Sequence, residues 1–200
     1  MSKQNFPTSI IFTALPDLTD RFAFVQDDAL KTNVATTLQY IIFLLSLSEE
    51  YKMPGPVIYM IYKNIIILTG SIVESLTCHK LQEMIKAGRF KNDEIMKMEY
   101  RYVPMKEIFP ISSEEKIYAC LRTKKYESLN DKTQLFTLNR AAEKSGLFTS
   151  PLYRMAQKLR DTRNRIHLAA LKRVDDQYSK SEVNAIFADA KKLIDRIESY

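Results

Sequence analysis

Apolar positions along this chain recur at two different periods, and the change between them marks its elements. Starting at Asp28, a residue able to cap a helix, Leu30, Val34, Leu38, Ile41 and Leu45 step by three and four toward Glu50, the spacing of one helical face. Pro54-Gly55-Pro56 stops that helix and starts the next. The second helix, about Val57 to Ala87, carries Ile58, Ile61, Ile65, Leu68, Ile72 and Leu76. Its apolar width exceeds one stripe, which predicts a central helix touched on several sides. After Gly88 the period falls to two. Met98, Tyr100 and Tyr102 alternate with Glu99 and Arg101, ending before Pro104; Ile117, Ala119 and Leu121 alternate with Tyr118, Cys120 and Arg122. Two strands joined across Pro104 to Ser113 predict a small antiparallel hairpin or meander.

Helical spacing returns at about Asp131 to Lys144, with Leu135, Leu138 and Ala142 facing inward and Gly146 as terminator. Ser150-Pro151 then opens a helix reaching Arg173, with Leu152, Met155, Leu159 and Ile166 on one face. Ser179 with Glu182 forms a capping box for the last helix. Its apolar face is Val183, Ile186, Phe187, Ala190, Ile194 and Ile197. The expected fold is mainly α: one domain over residues 1–200, five helices around a single core, with a β-hairpin inserted at 89–129. Pro7 and Pro16 beside the apolar Ile10-Ile11-Phe12 make residues 1–27 an irregular arm packed on the body.

A polar stripe accompanies the apolar one on the helix of 150–173. Arg160 and His167 are seven residues apart, a misalignment of about 20° at helical pitch. Arg163 lies four and Asn164 three residues before His167, so these side chains are surface neighbours. A charged helical face is ordinarily a solvated one. Charge density sets this one apart: residues 154–173 hold seven Lys or Arg against one Asp, a net of +6, equal to the excess of the whole chain. Such a cluster needs an anion, an acidic neighbour or open water. Glu74, inside the apolar central helix, either pairs with this stripe or faces a gap in the bundle. The hairpin carries a second basic set, Lys97, Arg101, Arg122, Lys124 and Lys125 with the tyrosines, read either as an RNA contact or as a guard against edge pairing.

Bulk properties narrow the classes. At 200 residues, 46% hydrophobic and 27% charged, the chain supports one real core. A net charge of +6 and a pI near 9.2 favour nucleic acid over membrane as an acidic partner. Cys78 and Cys120 make no framework of bridges. Cys78-His79 lacks further ligands for zinc, so neither metal nor cofactor is expected. No charged start leads into a sustained apolar core near Met1. Lys63, Asn64 and Gly70 break the run Val57 to Val73, which reads as a buried helix and not a membrane span. Reducing cytoplasm is the expected compartment.

The segment LRDTRNRIHL resembles the signature of HEPN domains (higher-eukaryote and prokaryote nucleotide-binding), in which an arginine and a histidine are separated by four to six residues. Arg160, six residues and His167 fit that spacing; Arg163-Asn164 leaves only three residues before His167, one short of the pattern, and both arginines can contribute. The segment lies on the penultimate predicted helix, after a long apolar helix and before a closing one, and the resemblance spans about 28–88 and 130–200. It implies a helical bundle, metal-independent endoribonuclease chemistry of toxin or defence type, a homodimer with two stripes facing each other, and an antitoxin or other partner protein. Leu168 to Leu171 hold no tyrosine, so control by nucleotide addition to such a tyrosine is not implied.

Chemically, the 2′-hydroxyl of RNA attacks its own phosphate if a base takes its proton and the phosphorane charge is stabilised. His167 suits proton exchange near neutrality. Arg160 and Arg163 offer planar forks for phosphate oxygens, and Asn164 can orient either partner. The alternative is a non-catalytic module that binds nucleotide, RNA or a protein partner through the same stripe.

Overall fold

The computed structural model describes residues 14–96, 98–130, 132–164 and 178–200. Among them are α1 (Leu15–Asp20), α2 (Asp28–Glu50), α3 (Gly55–Lys86), α4 (Asn92–Ile95), β1 (Met98–Pro110), β2 (Lys116–Tyr126), α5 (Leu135–Lys144), α6 (Ser150–Asn164) and α7 (Lys180–Ser199). The fold is mainly helical with one two-stranded antiparallel sheet. The long helices fall where the apolar periodicity places them, although α5 starts at Leu135 and not at Asp131, and the part of the expected 150–173 helix beyond Asn164 lies outside the described residues. Caps shift by a residue: Asp27, not Asp28, accepts from the Leu30 N–H at 2.9 Å, and α6 already includes Ser150, its first turn closing from the Tyr153 N–H to the Thr149 carbonyl. Ser179 caps α7 through the Glu182 N–H at 3.1 Å.

Helix α3 is the central one. Fourteen of its residues are buried, from Ile61 to Met84, and they face all sides because α2, α5, α6 and α7 each pack against it. By length and composition α2 and α3 are each apolar enough to cross a membrane, and half of the apolar window of α3 is buried inside the bundle. One core joins Val34, Ile41, Ile65, Ile66, Leu76, Leu81, Leu138, Leu147, Leu159, Ile186 and Leu193.

Residues 14–27 depart from the expected irregular arm. Pro16 does not break structure; it sits in the first turn of α1, where its missing N–H is no loss. Leu18, Phe22 and Val25 are then buried against α2 and the core. Further along, Gly146 adopts φ 75° and ends α5 as its position predicts. Arg196 of α7 braces that turn by donating to the carbonyls of Leu147 (2.8 Å) and Gly146 (3.1 Å), and the Tyr200 hydroxyl donates to Ser145 O at 3.1 Å. The turn that leads from α5 into α6 is thereby fixed from the end of α7.

The hairpin is longer than expected. Strand β1 continues through Pro104 to Pro110, and β2 runs to Tyr126. In a two-stranded ribbon both strands are edges, so a proline without an N–H is tolerated; the register shifts directly after it, between Pro104 and Lys106. Every residue from Glu99 to Arg122 is exposed. The base is tied down: Asn92 of α4 donates to Glu127 O at 2.8 Å and accepts from the Leu129 N–H at 3.3 Å.

Register also corrects the grouping of the basic residues. Paired positions share a face, and β2 alternates without interruption. Arg122 and Lys124 therefore lie with Tyr100, Tyr102, Tyr118 and Tyr126, while Arg101, paired with Thr123, and Lys125, paired with Glu99, lie on the opposite face. Lys97 is outside the described residues.

Candidate functional site

The last turn of α6, the middle of α3 and the start of α5 enclose a cleft of about 530 Å³, lined by Glu74, Gln134, Leu135, Phe136, Arg160, Arg163 and Asn164. Three of the four residues singled out in the sequence, Arg160, Arg163 and Asn164, thus meet on one cavity. The fourth, His167, lies outside the described residues, as does Ile166. In sequence His167 is three residues past the end of described α6.

Why the side chains converge follows from packing. Ala156, Leu159 and Thr162 bury one face of α6, and Leu152 packs against the core, while Met155 is only half-buried. Arg163 is left at the margin of that face, lying over α3. Its aliphatic stem crosses Gly70 so closely that an added methyl group there would sit 3.3 Å from Arg163 Cδ. Glycine inside a helix costs roughly 0.5–1 kcal/mol relative to alanine, and here it admits the arginine stem. One turn further along the same face of α3, Glu74 meets the guanidinium: Arg163 Nη1 to Glu74 Oε2 is 2.7 Å. Of the two readings open for Glu74, pairing with the stripe is the one the structure contains. The pair is about one quarter exposed at each side chain, enough for an anion to reach the guanidinium.

Arg160 is held differently. Its Nε and Nη2 donate to Asp161 Oδ1 at 3.0 and 2.6 Å, and its guanidinium carbon stands 5.0 Å from the centre of the Phe136 ring. Arg140, on α5, approaches the same ring at 5.6 Å. Phe136 is 41% exposed, an unusual setting for a large apolar ring. Cations near its ring are attracted by the ring quadrupole, so Phe136 gathers two guanidiniums at the mouth of the cleft. Beside it the N-terminus of α5 has no side-chain cap, leaving first-turn N–H groups available to negative charge.

Sequence reading missed Phe136, Gly70 and Gln134. Leu135 and Leu138 define the inward face of α5 and hide Phe136 as an ordinary partner. Gly70 carried a signal, a glycine in an apolar helix interior, which marks close approach.

Elsewhere, Cys78 is buried with its thiol 3.5 Å from Asn130 O, and His79 Nε2 lies 3.1 Å from Glu83 Oε1. Among the described residues no group of three His, Cys, Asp or Glu side chains is placed to hold a metal. No protein-family model, curated protein or solved structure matches this chain.

Proposed function

We propose that the chain is a metal-independent endoribonuclease of HEPN type, a five-helix bundle with an inserted hairpin, acting on RNA as a toxin or defence enzyme in the cytoplasm. The observation that carries this reading is the convergence of Arg160, Arg163 and Asn164 on one open cleft beside an exposed aromatic ring. A phosphate in the cleft would meet two planar, permanently charged forks, and a base would find Phe136 to stack on. His167 exchanges the proton of the attacking 2′-hydroxyl or of the leaving 5′-oxygen. Glu74 orients Arg163 and brings a second ionisable group to the cleft. A two-fold homodimer with α6 near its axis would supply a second histidine, and an antitoxin or other partner protein would cover the same face.

Two ion pairs favour a second reading. Arg160 with Asp161 and Arg163 with Glu74 are each partly neutralised, as suits a non-catalytic module that binds nucleotide, RNA or a protein through this cleft. Incubating purified protein with mixed RNA in excess chelator, beside His167→Ala, separates the two. Nuclease action predicts 2′,3′-cyclic phosphate and 5′-hydroxyl ends from the wild type and at least a hundredfold slower cleavage from the variant, within the ordinary contribution of a general acid or base. Intact RNA that is nonetheless bound makes the chain a binding module.

A further inference from the structure

The hairpin sorts its side chains by chemistry. All four strand tyrosines, Tyr100, Tyr102, Tyr118 and Tyr126, share one face with Arg122, Lys124 and Lys116. The opposite face holds Val103, Phe109, Ile117, Ala119, Leu121 and Lys106 toward the tip and Glu99, Arg101 and Lys125 toward the base. The cations divide evenly, three to each face, so it is the rings that are sorted, and only the tyrosine side combines rings with cations. Here the Arg122 guanidinium lies over the Tyr100 ring, 3.4 Å from its centre, and Tyr102 beside it is 59% exposed. Stacked planes and fixed positive charge at strand spacing are what a sequence-tolerant binder of single-stranded nucleic acid presents: rings for bases, cations for phosphates.

This face is also connected to the cleft. Met98, its first residue on β1, walls a cavity of about 410 Å³ together with Phe136, Arg140 and Lys144. Tyr126, at the other strand's base, walls a neighbouring cavity of about 550 Å³ with Gln134 and Lys132, and with Glu99 and Lys125 from the opposite face. Gln134 lines both of these and the α6 cleft as well. The three cavities adjoin at Gln134 and Phe136, forming a groove from Arg160 and Arg163, past Phe136, to the foot of the hairpin.

We propose that this groove and the tyrosine face of the hairpin form one track for single-stranded RNA, with the hairpin holding the strand whose scissile phosphate lies in the α6 cleft. The proposal rests on the RNA reading above and adds the substrate class, unpaired strand, and where it binds. A duplex keeps its bases stacked inside and has none to lay on Tyr100 or Tyr102.

The test compares two charge-matched double variants of the full chain in a His167→Ala background with chelator present. Arg122→Ser with Lys124→Ser removes two cations from the tyrosine face; Arg101→Ser with Lys106→Ser removes two from the other, neither of them lining the groove. Binding of a fluorescent 15-nucleotide oligouridylate is read by anisotropy, with circular dichroism to check folding. The tyrosine-face pair is expected to weaken binding at least tenfold and to lower the salt slope by about 1.4, two single-strand phosphate contacts at about 0.7 each. The opposite pair should change binding less than twofold. Tyr102→Ser should weaken the single strand about tenfold, and an RNA duplex should compete poorly. Equal losses from both pairs would reduce the effect to bulk charge and overturn the track. No loss from either pair, with binding abolished by Arg163→Ala, would overturn the track and keep the RNA reading. A tyrosine-face pair that leaves RNA binding intact but changes the sedimenting mass would make the face a protein interface instead. Absence of RNA binding in the unsubstituted background would sink the RNA reading itself, and the track with it.

Discussion

Helix α3 and the hairpin are both rich in large apolar and aromatic side chains, yet they spend them in opposite ways. Along α3 fourteen residues between Ile61 and Met84 are buried, with α2, α5, α6 and α7 packed around them. Along the hairpin, Tyr102, Met105, Ile108, Phe109, Ile111 and Leu121 are each more than half exposed. Burial in α3 is what ordinary folding energetics require. A two-stranded ribbon open on both faces is marginal in water and gains little for the fold, and exposed patches of that kind mark interaction surfaces. The contrast teaches that apolar content separates into two uses here: the bundle stabilises, and the ribbon presents.

The largest effect that contrast predicts is in the bundle. Leu159, 1% exposed between α6 and the core, should cost roughly 2–5 kcal/mol when changed to alanine, read from urea unfolding midpoints at constant slope. Next is the cleft. Arg163→Ala removes a pair only a quarter exposed and leaves Glu74 without its partner, a cost of about 1–3 kcal/mol and below that of Leu159, while RNA cleavage falls more than the lost stability explains. A large loss of stability from this variant would instead make Arg163 a structural tie and erase the distinction between site and scaffold. Smaller again is the ribbon: Leu121→Ser or Phe109→Ser should stay within about 0.5 kcal/mol of wild type in the same unfolding assay. If either approaches the Leu159 value, the ribbon is part of the core and the comparison fails.

The smallest effect concerns pH. The hydrogen bond and the charge of Glu49 raise the Lys180 pKa above the ordinary lysine value, tying the start of α7 to the end of α2. A raised folded-state pKa adds stability that is present at neutral pH and lost as pH rises through that pKa. Lys180 and Glu49 are both exposed, so the melting difference between wild type and Glu49→Gln should be barely measurable at pH 7 and vanish in strongly alkaline buffer.

Much of the bundle was legible because its residues obey one rule at a time. Val34, Ile41, Ile65, Leu138 and Ile186 sit at helical spacing and are buried for it. Legibility failed where a residue's cost depends on its neighbours. Pro16 and Pro104 read as breakers, but one falls in a first helical turn and the other in an edge strand, the two places where a missing N–H is harmless. In the site, Arg160, Arg163 and Asn164 were visible as a stripe. Phe136, twenty-four residues before Arg160, was not, because only packing of α5 on α6 brings the ring beneath the guanidinium. Hairpin faces were misread for a related reason: Arg101 and Arg122 are both basic, yet pairing with Thr123 and Tyr102 puts them on opposite sides.

The central claim, that the α6 cleft cuts RNA through the 2′-hydroxyl, is tested most directly by one substrate pair. An oligoribonucleotide with a mapped cut site is compared with the same strand carrying a single 2′-deoxy residue on the 5′ side of that bond, in excess chelator. The account predicts cleavage of the first with a 2′,3′-cyclic phosphate end and no cut at the substituted position, binding being nearly unchanged. Equal cleavage of both strands, or cleavage that disappears with chelator, would contradict it.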